Sequence, residues 1–266
     1  MSASLQFPGL MVLLINLDRS THRRAHMAQR LKEVGLDYQV LSAVDGLAQC
    51  EQLMPTVDAA AFRFHAGRDI LPGEIGCYHS HLQAWQKFLD SSEQVVLVLE
   101  DDMVFNAGFA QALAIALRGG EHWDMLKLAK IRAKQPVRQG FLGNYQLNAY
   151  IGPATGAGAY LIHRATAQHL LKRMLPIRAP IDRELELVHR HDYRYFGLEP
   201  FPCQPRDEGV STITGENFNQ ITRPPLSKRW TKYAEQTRNL FARIFYLAKH
   251  GRLFASRTQL QLKENL

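Results

Sequence analysis

The sequence predicts an α/β fold in which a mainly parallel sheet is flanked by helices and followed by a basic, amphipathic helical tail. Three observations carry that expectation. Short apolar runs, at residues 10–15 and 95–99, read as strands buried on both faces. Longer stretches between them repeat apolar residues every three or four positions, the period of a helix with one buried face. The two kinds of segment alternate along the chain, as strand–helix–strand units do.

The first strand is expected at 11–16. Ser20 or Thr21 can cap a helix to about Val34, with Met27, Ala28, Leu31 and Val34 on one face and Gly35 as its stop. Residues 38–41 suit a short second strand and Asp45-Gly46 a turn. Residues 47–70 show no clear period. Pro72 suits a first helical turn. Ile75, Tyr78, Leu82, Trp85 and Leu89 then follow at helical spacing and lead into the strand at 95. Phe109, Leu113 and Leu117 mark another helix, 124–129 and 158–162 two strands, 166–174 a helix, and 184–190 a short one. Residues 198–203 are extended but broken by proline, which suits an edge strand at best. There is no internal repeat. Pro224-Pro225 divides a body, 1–225, from a tail, 226–266.

With 266 residues, 46% hydrophobic and 21% charged, the composition is that of a globular protein rather than a disordered one. No window approaches the roughly 18–20 apolar residues of a membrane span. The run LMVLLI at 10–15 lacks a preceding basic region and is short for a signal-peptide core. Cys50, Cys77 and Cys203 are odd in number and far apart, so neither a disulfide framework nor a zinc knuckle is indicated, and a cytoplasmic location is expected. The net charge of +7 is unevenly spread: residues 227–266 hold nine Lys/Arg and two acids, while the rest is balanced. The high isoelectric point therefore belongs to a tail and does not indicate a nucleic-acid partner.

The stretch VVLVLEDDMVF at 95–105 ends a buried strand in Glu100, Asp101 and Asp102. A helix N-cap explains one of these acids, Asp102, but not three in a row. A divalent cation would neutralise the cluster. The carboxyl ends of strands are where open α/β sheets bind ligands, and oxygen donors suit Mg2+ or Mn2+ holding a phosphate. Alternation in extended chain puts Glu100 and Asp102 on one face and turns Asp101 away. Residues 127–138, KLAKIRAKQPVR, read as a solvated basic loop, with a phosphate or acidic-acceptor contact as the alternative. His79 and His81 are two apart on a helix and cannot readily share one ion, and His189 and His191 have the same spacing. A surface role is expected for each of the later pair, with either one alone on the metal as the alternative. The cysteines read as structural, without an adjoining histidine to make a nucleophile.

Four blocks occur in order: VLLINLDRSTHRR at 12–24, LPGEIGCYHSHLQAW at 71–85, VVLVLEDDMVF at 95–105 and TGAGAYLIHRATAQHLL at 155–171. Together they resemble glycosyltransferase family 25. Pro180-Ile181-Asp182 and Gln204 with Ser211-Thr212-Ile213 resemble its weaker downstream motifs, so the similarity covers about 10–215. It implies a GT-A-like fold and an inverting transferase. The donor implied is a UDP-sugar, commonly UDP-galactose, with Mn2+ or Mg2+. The acceptor implied is a lipooligosaccharide, lipopolysaccharide or related glycan. Asp102 is then the main metal ligand. Glu100 binds the metal, through water or directly, or touches the ribose, and Asp101 meets the ribose or supports the site. Asn16 and Arg19 fall at the nucleotide end of the first strand, His81 near the donor, and Thr155-Gly156 along the acceptor or sugar pocket. An inverting transfer also needs a base for the acceptor hydroxyl, Asp182 first and Glu184 second.

Each of these residues admits a structural reading too. Asn16 can cap a loop, Arg19, Arg23 and Arg24 can be solvated, and Asp182 can cap the following helix. The glycines can simply permit a tight strand entry. A metal-dependent nucleotidyltransferase or phosphohydrolase would also gather carboxylates, and a non-catalytic peripheral membrane module would need none of them for chemistry. In the tail, Trp230, Tyr233, Leu240, Phe241, Ile244, Phe245 and Ala248 recur at helical spacing among Lys228, Arg229, Lys232, Arg238, Arg243, Lys249 and Arg252. That helix either packs its aromatic stripe on the body or lies on the anionic inner face of a bacterial membrane.

Overall fold

The computed structural model describes residues 7–206 and 230–264. β1 (Leu10–Asn16) leads through α1 (Thr21–Glu33) to β2 (Gln39–Ser42), which pairs parallel to β1. Two short helices follow in the stretch without a clear period, α2 (Cys50–Leu53) and α3 (Ala59–Ala66). Asp58 caps α3 by accepting from the Ala61 N–H at 3.0 Å, and Gly67 closes it with φ of 71°. α4 (Pro72–Leu89) delivers the chain to β3 (Val95–Glu100), which pairs parallel to the other side of β1. Val96 to Leu99 are fully buried because β3 has strands on both edges and packed layers on both faces.

β4 (Met103–Phe105), α5 (Phe109–Arg118) and β5 (Met125–Lys127) come next. A hairpin follows, β6 (Pro136–Leu142) with β7 (Tyr145–Tyr150), then β8 (Ala159–His163) and α6 (Arg164–Leu171). Arg164 donates to the carbonyls of Phe88, Leu89, Ser91 and Glu93, so one cation closes the end of α4 and joins it to α6. α7 (Ile181–Leu185) and α8 (Val188–His191) precede β9 (Tyr195–Glu199) and β10 (Cys203–Pro205).

The main sheet has the order β2-β1-β3-β8-β5-β9-β7-β6, and β10 pairs with β4 in a separate ribbon. The sheet is mixed where alternation suggested mainly parallel: among the described residues three pairings are parallel and four antiparallel. β8 is the cause. It is reached from β7 by a loop without a crossover helix, so it can run antiparallel between β3 and β5. Residues 136–138 belong to β6, not to a basic loop. β9 is interior and buried, not an edge, because Pro200 lies just past its last residue.

α9 (Trp230–Lys249) packs on α3 and α8. Its inner face is unexpected. Glu235 and Arg243 are buried there with Tyr246 and Leu247, while Tyr233, Phe241 and Phe245 are 56%, 65% and 72% exposed. The Glu235 carboxylate accepts from Arg190, Arg238 and Asn239 and sits 3.1 Å from His65. Arg243 donates to the carbonyls of Ile151 and Gly152. The helix is thus docked by ions and hydrogen bonds, with part of its aromatic stripe outside. Beyond α9 the chain runs beside β6, exchanging backbone bonds between Ser256 and Arg138, Thr258 and Phe141, and Leu260 and Phe141. No helix among the described residues is long and apolar enough to cross a membrane. Ser211-Thr212-Ile213, Pro224-Pro225, Lys228, Arg229 and the expected boundary at 225/226 lie outside the described residues, as do the side chains of Trp230 and Lys232.

Candidate active site

β1, β3, β5 and β9 all point one way, so Asn16, Glu100 and Lys127 stand at one end of the sheet with Ala159, the first residue of β8. A cavity of about 270 Å3 opens there. Its lining includes Glu100, Asp102 and Asp182, along with Cys77, Gly156 and Gly158. Glycine is required at Gly156 and keeps the wall open at Gly158. Gly156 has φ of 97°, and a Cβ there would meet the Ile131 nitrogen at 2.8 Å. A Cβ on Gly158 would meet Met103 Cε at 2.5 Å and Glu100 Oε2 at 3.5 Å.

The acidic turn separates its three carboxylates. Asp101 faces away from the cavity, accepting from Asn16 Nδ2 at 2.6 Å and from Arg23 at 3.2 Å. Arg23 is therefore not on a solvated face. Burial still lifts the Asp101 carboxyl above the usual range against these partners. Asp102 is lifted further, by burial first and then by the charges of Glu100 and Asp101, and its Oδ1 is buried without a hydrogen-bond partner. A buried, unpartnered carboxylate oxygen beside a second carboxylate is a place for a cation. The residues present therefore fit a divalent metal.

α4 supplies two side chains one turn apart, Cys77 on the cavity wall and His81 behind it. His81 Nε2 is 3.2 Å from Glu100, and its Nδ1 is 2.9 Å from the Tyr160 hydroxyl, which also accepts from Trp85. Cys77, His81 and Glu100 each offer one ligand atom within 4.8 Å of the others. Burial, with Glu100 next, raises the Cys77 thiol well above its ordinary range, so the metal-free protein holds it neutral. Cys77 read as structural in the sequence. Its position four before His81 on one helical face was the signal that joins them.

The other expected residues are dispersed. Asn16 is buried and holds the acidic turn, with Nδ2 also donating to the Ser20 carbonyl. Arg19 is half exposed and pairs with Asp45. The Thr155 carbonyl accepts from the amides of Ile131 and Arg132, which pins the loop that carries Gly156. Asp182 accepts from the Gly156 N–H at 3.0 Å. Glu184 does not line the cavity. It is buried against His191 at 3.0 Å, so His191 has no surface role. Burial pushes the Glu184 carboxyl up, but His191, Arg190 and His65 outweigh it and hold it below the usual range. His79 bonds Thr56 at 2.9 Å. His189 is half buried and lowered to about 4, by burial and then by Arg190 and Arg243.

Lys127 departs most from expectation. It falls where the expected strand at 124–129 and the expected basic loop at 127–138 overlap; it closes the strand, β5, and is 1% exposed. Its ammonium donates to the Gly156 carbonyl. Burial lowers it to about 8, against the opposing charges of Asp182, Glu186 and Glu100. Gly156 is thus held from both sides, its N–H by Asp182 and its carbonyl by Lys127.

Comparison with known proteins bears on this geometry. Residues 10–185 match the model of glycosyltransferase family 25, described as an LPS biosynthesis protein. A glycosyltransferase 25 family member of Aedes aegypti is 30% identical over 231 residues, covering 84% of this chain and 36% of that protein. Procollagen galactosyltransferase 1 of Danio rerio is 27% identical over 217 residues, covering 73% of this chain and 36% of that one. The chain thus spans little more than a third of the length of these relatives. The mixed sheet with flanking helices is consistent with a GT-A-like fold. The family match extends from β1 through α7 and takes in the acidic turn, the Gly156 loop and Asp182, and on that match the chain belongs to glycosyltransferase family 25.

Proposed function

We propose that this chain is an inverting, metal-dependent glycosyltransferase that moves a hexose, galactose as first choice, from a UDP-sugar to a lipooligosaccharide, lipopolysaccharide or related glycan. One observation carries the proposal: a single cavity gathers Glu100, Asp102 and Asp182 beside a glycine-lined wall, in a chain of this family. Asp102 and Glu100 would hold Mn2+ or Mg2+, with Cys77 and His81 adjoining Glu100. Held by these residues, such an ion would supply positive charge to offset the charge that grows on the leaving diphosphate.

The protein's own groups do the rest. Asn16 and Arg23 fix the acidic turn through Asp101. His81, tied to Tyr160, fixes the Glu100 carboxylate. Small residues at Gly156 and Gly158 let the donor sugar approach the backbone. Arg19 lies beyond the end of β1 as a donor contact. Asp182 takes the proton of the acceptor hydroxyl as it attacks the anomeric carbon from the face opposite the nucleotide. Its bond to the Gly156 N–H orients the carboxylate for this. We assign the base to Asp182 rather than Glu184, because Glu184 is spent on His191.

A second proposal concerns location. Phe241 and Phe245 stand outward on α9, which also carries Arg238 and Lys249, a pattern suited to the anionic cytoplasmic face of a membrane.

The transfer is tested with purified protein, Mn2+ and a panel of UDP-sugars, measuring UDP release with and without deacylated lipopolysaccharide core oligosaccharide. Release that depends on both the acceptor and one sugar supports the proposal. Phosphate release from UDP or ATP without an acceptor would favour a phosphohydrolase. Binding of neither Mn2+ nor UDP would leave only a non-catalytic module.

A further inference from the structure

A second cavity, of about 620 Å3, lies between α9 and the body. It adjoins the acidic cavity. Pro180 lines both, and the chain on either side divides between them, Ile131 and Asp182 facing the first and Arg132 and Arg183 the second. The size is that of a ligand site rather than a packing defect. An acceptor hydroxyl delivered to Asp182 leaves the remainder of its molecule in this space.

The lining has a definite chemistry. His65, Arg68, Arg132, Arg183 and Arg243 face only two acids, Glu186 and Glu235. Most of these charges are already committed: Arg183 to Glu186, Arg68 to Glu74, and His65 to Glu235. Arg132 is different. Its guanidinium is exposed and has no partner among the described residues. Arg243 is 6% exposed and donates to the carbonyls of Ile151 and Gly152, so it is held as part of the wall. Tyr233, half exposed on the same wall, offers a ring face.

We infer that this second cavity is the acceptor subsite and that it takes an oligosaccharide carrying an anionic group, which Arg132 binds. This deepens the transferase proposal and rests on it. It also makes α9 a wall of the site instead of an appendage.

The experiment uses the full chain and titration calorimetry. The probes are UDP with Mn2+, then phosphorylated deacylated core oligosaccharide, before and after phosphatase treatment. The variants are Arg132→Glu and Thr237→Trp, the latter to fill the cavity from an exposed position on α9. Both should bind UDP as wild type does and weaken oligosaccharide binding about tenfold or more. Phosphatase treatment should weaken wild-type binding by a similar factor and leave Arg132→Glu little changed. Oligosaccharide binding unaltered in both variants would overturn the inference. So would a wild type that binds UDP but not the oligosaccharide. A wild type that fails to bind UDP with Mn2+ would overturn the transferase proposal itself.

Discussion

Replacing Lys127 with methionine tests the tightest point of the site. Methionine keeps the length and apolar stem of the side chain and removes the charge. The ammonium is lowered from 10.5 to about 8 because burial disfavours its charge more than Asp182, Glu186 and Glu100 favour it. An unfolded chain holds the proton up to about pH 10.4, and the folded one releases it at about 8. Between these values the unfolded state binds more protons, so folding gains stability as pH rises, and loses it again as pH falls toward 8. Two and a half decades amount to about 3 kcal/mol. Lys127→Met has no such slope. At pH 7 the variant escapes the cost of a buried charge but loses a charge-assisted bond to the Gly156 carbonyl, roughly 1.5–3 kcal/mol, so the two nearly cancel. The pH dependence separates them. Urea unfolding of both proteins from pH 7 to 10 should show wild type gaining on the variant by about 2–3 kcal/mol, other titrations cancelling in the difference. A difference that stays flat with pH would refute the argument that Lys127 is a charged, desolvated clamp.

Three further outcomes are expected. Asp102→Asn should abolish Mn2+-dependent UDP binding without lowering the melting temperature in chelator, since burial and its acidic neighbours already disfavour this charge; full transfer activity in the variant would contradict that. Asp182→Asn should lower kcat by about 100-fold or more while donor affinity stays near wild type, and a loss of UDP-sugar binding instead would move Asp182 to the donor side. Replacing Phe241 and Phe245 together by serine should leave the fold intact and reduce co-sedimentation with anionic vesicles; sedimentation equal to wild type would remove the membrane proposal.

The strands at 10–16 and 95–100 were legible because full burial demands unbroken apolar runs, and α4 because its face repeats through five large residues. The direction of β8 was not. A five-residue apolar strand looks the same whichever way its neighbours run. The hairpin of β6 and β7 was hidden by charge, since Arg138 stacks on Phe141 instead of standing in water. At the site, the acidic turn announced itself through an excess of like charge. Lys127 and Cys77 gave no comparable sign, because what defines each is burial beside a carboxylate brought from elsewhere in the chain. The tail misled for a related reason: apolar spacing locates a stripe, but Glu235 and Arg243 find their partners in α3, α8 and the loop after β7.

The strip of chain laid along β6 has a consequence for synthesis. Arg138 waits for Ser256, 118 positions later. At roughly 5–20 residues per second, translation leaves that flank of the sheet bare for about 6–24 seconds. During that interval β6 offers unpaired amides and carbonyls to any neighbouring nascent chain. The price of closing a sheet with a late segment is a window in which a chaperone, or rapid docking of the hairpin on β9, must keep polysome-bound copies apart.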